Sequence, residues 1–187
     1  MNSMDVETLK HKLKVLHVLD QAIKPDEPDE YMRFIRHSRN EAYEQYVIDN
    51  GAGDKLMVRF FEIGVFVKGF DHENELNQWA ADEWDDDFFT RMFAGAPSAF
   101  VGSMTEEEHD CTTFCMWYLS ETGEWYQNEV IGNNGGKSFL MGYLPESPEE
   151  LMDWAEDYYG KSLNEAVIKK LFETAELSEE DKKELIK

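Results

Sequence analysis

Asp71-His72-Glu73 follows directly on the apolar run VFVKGF (65–70). A histidine between two carboxylates at a strand end has the makings of a general base or a metal ligand, because imidazole titrates near neutrality. Neighbouring residues on a strand point to opposite faces, so the three side chains converge only if the chain turns there. The competing reading is a polar loop whose carboxylates cap backbone N–H groups and raise the histidine pKa. An enzyme built on His72 and Glu73, with Asp71 and a bound cation, needs a pocket, for which Phe70, Trp117 and Tyr118 are the candidate walls.

His109-Asp110-Cys111, with Cys115, offers imidazole and thiol donors. A structural zinc site takes four ligands in close pairs such as C-x-x-C, and the spacing here is C-x-x-x-C. Two residues four apart on a strand lie about 13 Å apart, too far to share an ion or to form a disulfide. Free thiols packed as small hydrophobes fit better. Asp82, Glu83, Asp85, Asp86 and Asp87 are hard-cation donors, but the calcium-loop pattern with its turn glycine is absent. They read as a solvated acidic face or as a surface for a basic partner. The string NNGGKS (133–138) ends like a phosphate loop, yet Ile131 stands where the first glycine belongs. No nucleophile elbow, H-E-x-x-H pair or dinucleotide fingerprint is present. The residues therefore call for no cofactor and no metal. Trp79 and Trp84 bracket the start of the acidic run, where indoles can anchor a partner.

These residues hang on elements that the patterning predicts. Val6, Leu9, Leu13, Leu16, Leu19 and Ile23 recur every three or four positions, an amphipathic helix over 5–24 with Lys10, Lys12 and Lys14 off its apolar stripe. Pro25 stops it. Residues 29–38 are expected as a second short helix with Tyr31, Phe34 and Ile35 inward. EQYVID, KLMVRFFE and VFVKGF, separated by the turn formers NGAGD and IG, predict a three-strand antiparallel meander. DDDFFTRMF predicts a short helix with Phe88, Phe89, Met92 and Phe93 on its apolar side, and Thr105 followed by Glu108 a capping box. CTTFCMWYL and EWYQNEVI predict a hairpin, and SFLMGYL a last short strand. Ser147-Pro148-Glu149-Glu150 opens a helix that lines up Leu151, Trp154, Ala155 and Tyr158 and ends at Gly160. Ser162–Glu165 and Ser178 open two more. The fold class expected is α+β: an antiparallel sheet of about five to six strands, an N-terminal helix and a C-terminal helical segment (147–187) packed on the same core, in one domain spanning 1–187.

The chain has 187 residues, with 40 acidic against 18 basic ones and a net charge of −22. At 42% hydrophobic and 13% aromatic, it has the material for a core despite that charge. The charge argues against nucleic acid and against an anionic membrane surface, since both need a basic face. No apolar run of membrane-spanning length occurs. The N-terminus lacks the apolar stretch of a signal peptide, and with two cysteines the expectation is a reducing cytoplasm. The charge is local: residues 71–110 hold 12 acidic residues and one basic, Arg91.

The strings VFVKGFDHE (65–73), TFCMW (113–117) and AEDYYG (155–160) together resemble an uncharacterised family of bacterial proteins with a GF-x-HE string, a TFC-x-W strand and a later helix ending in YY. The resemblance spans roughly residues 45–160. It implies one α+β domain with Gly69, Phe70, His72, Glu73, Phe114 and Trp117 as marked positions, and it implies no catalytic role.

Three readings compete. The first is a binding protein of immunity or antitoxin type that neutralises a basic, toxin-like protein: carboxylates attract it at range and aromatics supply the contact energy. Its residues are Trp79, Asp82, Glu83, Trp84, Asp85, Asp86 and Asp87. The second is an enzyme using His72 and Glu73, with Asp71. The third is an acidic mimic of nucleic acid, which requires carboxylates in two rows at phosphate-like spacing. The pattern specifies no oligomeric state.

Overall fold

A computed structural model describes residues 4–27, 29–85, 87–128 and 132–187. Position 28 in the first elbow, Asp86 of the acidic run, residues 129–131 of the expected last hairpin strand and the first three residues of the N-terminus lie outside the described residues. In chain order the elements are α1 (Val6–Ile23), β1 (Ile35–Arg39), β2 (Tyr43–Asp49), β3 (Lys55–Phe61), β4 (Gly64–Phe70), α2 (Phe88–Met92), α3 (Ser98–Val101), α4 (Glu106–Asp110), β5 (Phe114–Leu119), β6 (Glu124–Gln127), α5 (Lys137–Met141), α6 (Pro148–Tyr159), α7 (Glu165–Thr174) and α8 (Glu179–Glu184). The architecture is mixed: one antiparallel six-stranded sheet with an N-terminal helix and C-terminal helices. Among the described residues no helix is long and apolar enough to cross a membrane.

By internal contacts the chain falls into two compact units. One comprises the chain up to Arg36 together with Gly142–Lys187. In it Leu9, Leu13, Leu16, Leu19 and Ile23 form the buried stripe of α1, and α6 and α7 contribute Leu151, Ala155, Val167, Ile168 and Leu171. Asp5 caps α1, Ser147 caps α6 with Pro148 behind it, and Gly160 ends α6 in the left-handed conformation. Lys12, expected on the solvent side, is buried and paired with Glu146 at 2.6 Å. The fully buried Asp20 binds Arg33 Nη1 at 2.9 Å and accepts from Tyr159 Oη at 2.8 Å. A buried ion pair with additional hydrogen bonds is costly to break from one side.

The second unit is His37–Met141. Its strands follow one another in the sheet in the order of the sequence. Asn50–Asp54 and Ile63–Gly64 close the meander as expected, and β4 pairs with β5 so that Phe66 faces Trp117 and Lys68 faces Cys115. On that face Met57, Phe66, Cys115 and Trp117 pack against Phe88, Phe89, Met92, Phe93 and Phe100 of the excursion between β4 and β5. The Thr105–Glu108 capping box is formed.

Two expectations fail. Residues 29–38 form no helix but a 3-10 turn at Glu30–Met32 followed by β1, with Phe34 and Ile35 buried and Tyr31 exposed. SFLMGYL forms no strand: α5 starts at Lys137, directly after Gly135 and Gly136, both at positive φ. Its Leu140 lies against Gly69, where an added Cβ would come within 2.6 Å of Leu140 and 2.1 Å of Phe114. Tyr158, placed inward by its spacing, is partly exposed on α6.

Candidate functional site

After β4 the chain turns back on itself through Asp71 and Asn74, whose backbone groups bond at 3.1 Å. Leu76 and Asn77 then anchor the loop. Leu76 enters the apolar cluster, and the buried Asn77 donates to His72 O at 2.8 Å while its Oδ1 accepts from Trp79 N at 3.1 Å. Asn77 thereby caps the 3-10 turn Gln78–Ala80. Gln78 Oε1 accepts from Asp85 N at 3.0 Å and closes the loop that holds the acidic run.

Two tryptophans stand out from this frame. Trp79 is 64% exposed and Trp84 42% exposed, and their rings meet edge to face with centroids 5.3 Å apart. Trp84 also reaches Phe89, at 5.7 Å, so one end of the pair is rooted in the core. Asp82, Glu83 and Asp87 are exposed around it in the chain. Asp85 instead pairs with Arg91, whose hydrogen bond holds its carboxyl below the usual range. The one base of residues 71–110 is therefore held by a neighbour. The structure thus brings together Trp79, Asp82, Glu83, Trp84, Asp85 and Asp87 on one loop.

The Asp71-His72-Glu73 string resolves differently. The hydrogen-bond partner of its histidine lies outside the string. His72 Nδ1 meets Asp54 Oδ1 at 2.7 Å, and the same oxygen accepts from His72 N at 3.0 Å. Asp54 is buried in the β2–β3 turn and takes a further bond from Asn50 Nδ2 at 2.7 Å. Asn50 Oδ1 in turn accepts from Ala52 N and Asp54 N. The hydrogen bond to Asp54 raises the His72 pKa above its ordinary value. Burial pushes Asp54 up, but the bonds from His72 and Asn50 outweigh it and leave the carboxyl lowered. Glu73 stays 3.9 Å from His72 Nε2, while Asp71 accepts from Glu73 N and Asn74 Nδ2. Asp71 and Glu73 line an open cleft of about 440 Å³ with Asn74, Glu75, Asn133 and Phe139.

The walls expected for an enzyme pocket do not assemble. Trp117 is buried in the apolar cluster on the Phe66 face, and Tyr118 follows it on the opposite face of β5. Sequence reading also missed Asp54, which it took for turn chemistry alone. The signal was there in Asn50 and Asp54, a pair of side-chain acceptors flanking a glycine turn at the start of a strand.

The remaining candidates have structural partners. Cys111 caps α4 rather than lying on a strand, and Cys115 sits buried on β5 with Sγ 3.3 Å from Met92 O. Burial pushes the Cys115 thiol up to about 12. Among the described residues no three His, Cys, Asp or Glu side chains are placed to hold a metal ion. In NNGGKS, Lys137 bonds to Gln127 Oε1, and Gly136 lies so close to Asp71 that an added Cβ would be 2.3 Å from its carboxylate. A carboxylate at that loop opposes phosphate. Two buried cations had no forecast. Arg59 binds Gln45, Ser103 and Glu108, and Lys68 Nζ donates to Glu108 O and, at 2.6 Å, to Cys111 O. Both tie α4 to the sheet through its C-terminal carbonyls or its Glu108 side chain.

No family model, curated protein or solved structure matches the chain.

Proposed function

We propose that the chain is a binding protein of the immunity or antitoxin type, which neutralises a basic protein partner through the loop surface of Trp79, Asp82, Glu83, Trp84, Asp85, Asp86 and Asp87. The observation that carries the reading is the exposed Trp79–Trp84 pair set among carboxylates whose only local base is held by Asp85. Such a surface supplies both parts of a protein interface: charge for steering and rigid aromatic area for contact. The carboxylates of this surface sit on one loop, which favours a single docking face over two phosphate-like rows.

The immobilised chain is expected to retain a basic protein from an extract of its source cells at about 50 mM salt and to release it at several hundred millimolar, where the screening length falls below about 8 Å. The retained protein, once purified, must bind one to one and lose its own activity in the complex. An Asp82→Asn/Glu83→Gln/Asp87→Asn variant must fail to retain it. Recovery of no basic protein at low salt, or equal retention by the variant, contradicts the reading.

A second reading, an enzyme using His72 and Glu73, gains one observation, the 2.7 Å bond from a partly exposed histidine to a buried aspartate beside an open cleft. Asp54 would then orient the His72 imidazole. The same aspartate also binds His72 N and Asn50, which is the behaviour of a clamp between two loops.

A further inference from the structure

Trp79 and Trp84 stand at 70° to each other, which leaves a corner walled by one indole and floored by the other. The face of an indole carries the negative end of its quadrupole, so such a corner favours a cation over a neutral group of equal size. Three of the chain's own cations lie over other rings. The Arg36 guanidinium lies 5.5 Å from the Tyr31 ring, Lys24 Nζ 5.7 Å from Tyr159 and the Arg59 guanidinium 4.7 Å from Tyr43. Among the described residues no lysine or arginine lies over Trp79 or Trp84, although indole is the strongest acceptor of the three aromatic side chains. Arg91 is the one base of residues 71–110, and Asp85 holds it. The exposed Asp82 and Glu83 sit between the two indoles in sequence, and Asp87 follows. The feature is thus an open aromatic corner, flanked in the chain by exposed carboxylates and, among the described residues, without a cation over either indole.

We propose that the Trp79–Trp84 corner is the receptor for one arginine side chain of the basic partner, with the guanidinium stacked on an indole and its charge met by Asp82, Glu83 and Asp87. The assignment rests on the binding-protein reading and names the group that the surface takes. Arginine suits the corner better than lysine. Its guanidinium is planar, stacks on aromatic faces and is weakly hydrated, so it loses less on leaving water.

The test uses the 15N-labelled full chain and two small probes at constant ionic strength, N-acetyl-arginine amide and N-acetyl-citrulline amide. Citrulline keeps the shape of the side chain and replaces the guanidinium with a neutral urea. Indole N–H signals are assigned with Trp79→Phe and Trp84→Phe. The arginine probe is expected to give saturating shifts confined to the two indoles and the amides around them, with at least fivefold weaker binding of the citrulline probe. Trp79→Leu, at a position 64% exposed and so tolerant of the change, should abolish the response with an unaltered circular dichroism spectrum. Asp82→Asn/Glu83→Gln/Asp87→Asn should weaken it several-fold. Absent saturation, equal binding of both probes, or shifts centred elsewhere overturn the proposal. A basic partner that binds while the arginine probe leaves both indoles unmoved refutes the corner alone. A probe that binds where no basic partner exists refutes the binding-protein reading alone.

Discussion

Lys68→Met tests how far the buried face of β4 governs stability. Lys68 is 4% exposed, and burial pushes its ammonium down to about 8 against an ordinary 10.5, an effect that Glu108 only partly offsets. A lysine whose folded pKa is depressed binds its proton more weakly in the native state than in the unfolded chain. Between those two values the unfolded state holds more protons, so stability rises with pH there and is flat below about 8. With a folded pKa near 8 and an unfolded one near 10.5, the gain from pH 7 to pH 10 is about 2–3 kcal/mol. At a urea slope of about 2 kcal/mol per molar, that moves the midpoint by roughly 1 M. The raised pKa values of Cys115 and Tyr46 act with the opposite sign at high pH, because the folded chain keeps those protons longer. Urea midpoints of the wild type and of Lys68→Met are therefore compared at pH 7, 8, 9 and 10 as a difference, in which the groups that do not feel the Lys68 charge cancel. The wild type should gain on the variant by about 1 M across the series. Parallel midpoints over the whole range would refute the assignment of Lys68 as a buried, desolvated amine.

Asp54→Asn removes an acceptor of charge-assisted bonds in a buried turn and is expected to cost about 1–3 kcal/mol in urea unfolding. It should also lower the pKa of the His72 imidazole, followed by its proton signals in a pH titration, toward its ordinary value, with Glu73 and Asp71 still acting on it. In the wild type the stabilisation from the raised His72 is complete below about pH 6.5 and is lost as pH rises through the folded value. That from Asp54 is present above about 3.8 and is lost as pH falls through the lowered folded value. Asp20→Asn leaves Arg33 buried without its counter-charge and should lower stability by about 3–5 kcal/mol, with Tyr159→Phe costing about 1 kcal/mol by comparison. Gly69→Ala forces a methyl group into Phe114 and Leu140 and is expected to destabilise by about 1–3 kcal/mol or more, read as a lowered thermal midpoint.

What the chain announces locally, it forms. The leucine stripe of α1, the glycine turns of the meander, the Thr105 capping box and the Ser147–Pro148 start of α6 all depend on residues within a few positions of one another. The failures are long-range. Residues 29–38 look helical by spacing, but Arg33 is drawn to Asp20, and Ile35–Arg39 join a sheet whose other strands lie later in the chain. SFLMGYL has strand composition, yet Gly135 and Gly136 turn the backbone so that Leu140 reaches Gly69. Lys68 lies two residues from Phe66 and so on the same face of β4, and the fold of residues 71–113 over that face, which lies outside the strand's own pattern, buries it. The same holds for the site. The acidic run and its tryptophans are legible because they are contiguous, whereas Asp54 meets His72 only through the register of β3 and β4.

The central claim is that carboxylates steer a basic partner and the tryptophan pair holds it. Association and dissociation rates of the complex, measured from about 25 to 500 mM salt, test it most directly. Steered association should slow steeply with salt, and Asp82→Asn/Glu83→Gln/Asp87→Asn should flatten that slope. Trp79→Ala should leave the association rate nearly unchanged and speed dissociation at least tenfold. An association rate indifferent to salt, or a Trp79→Ala complex as long-lived as the wild type, would contradict the account.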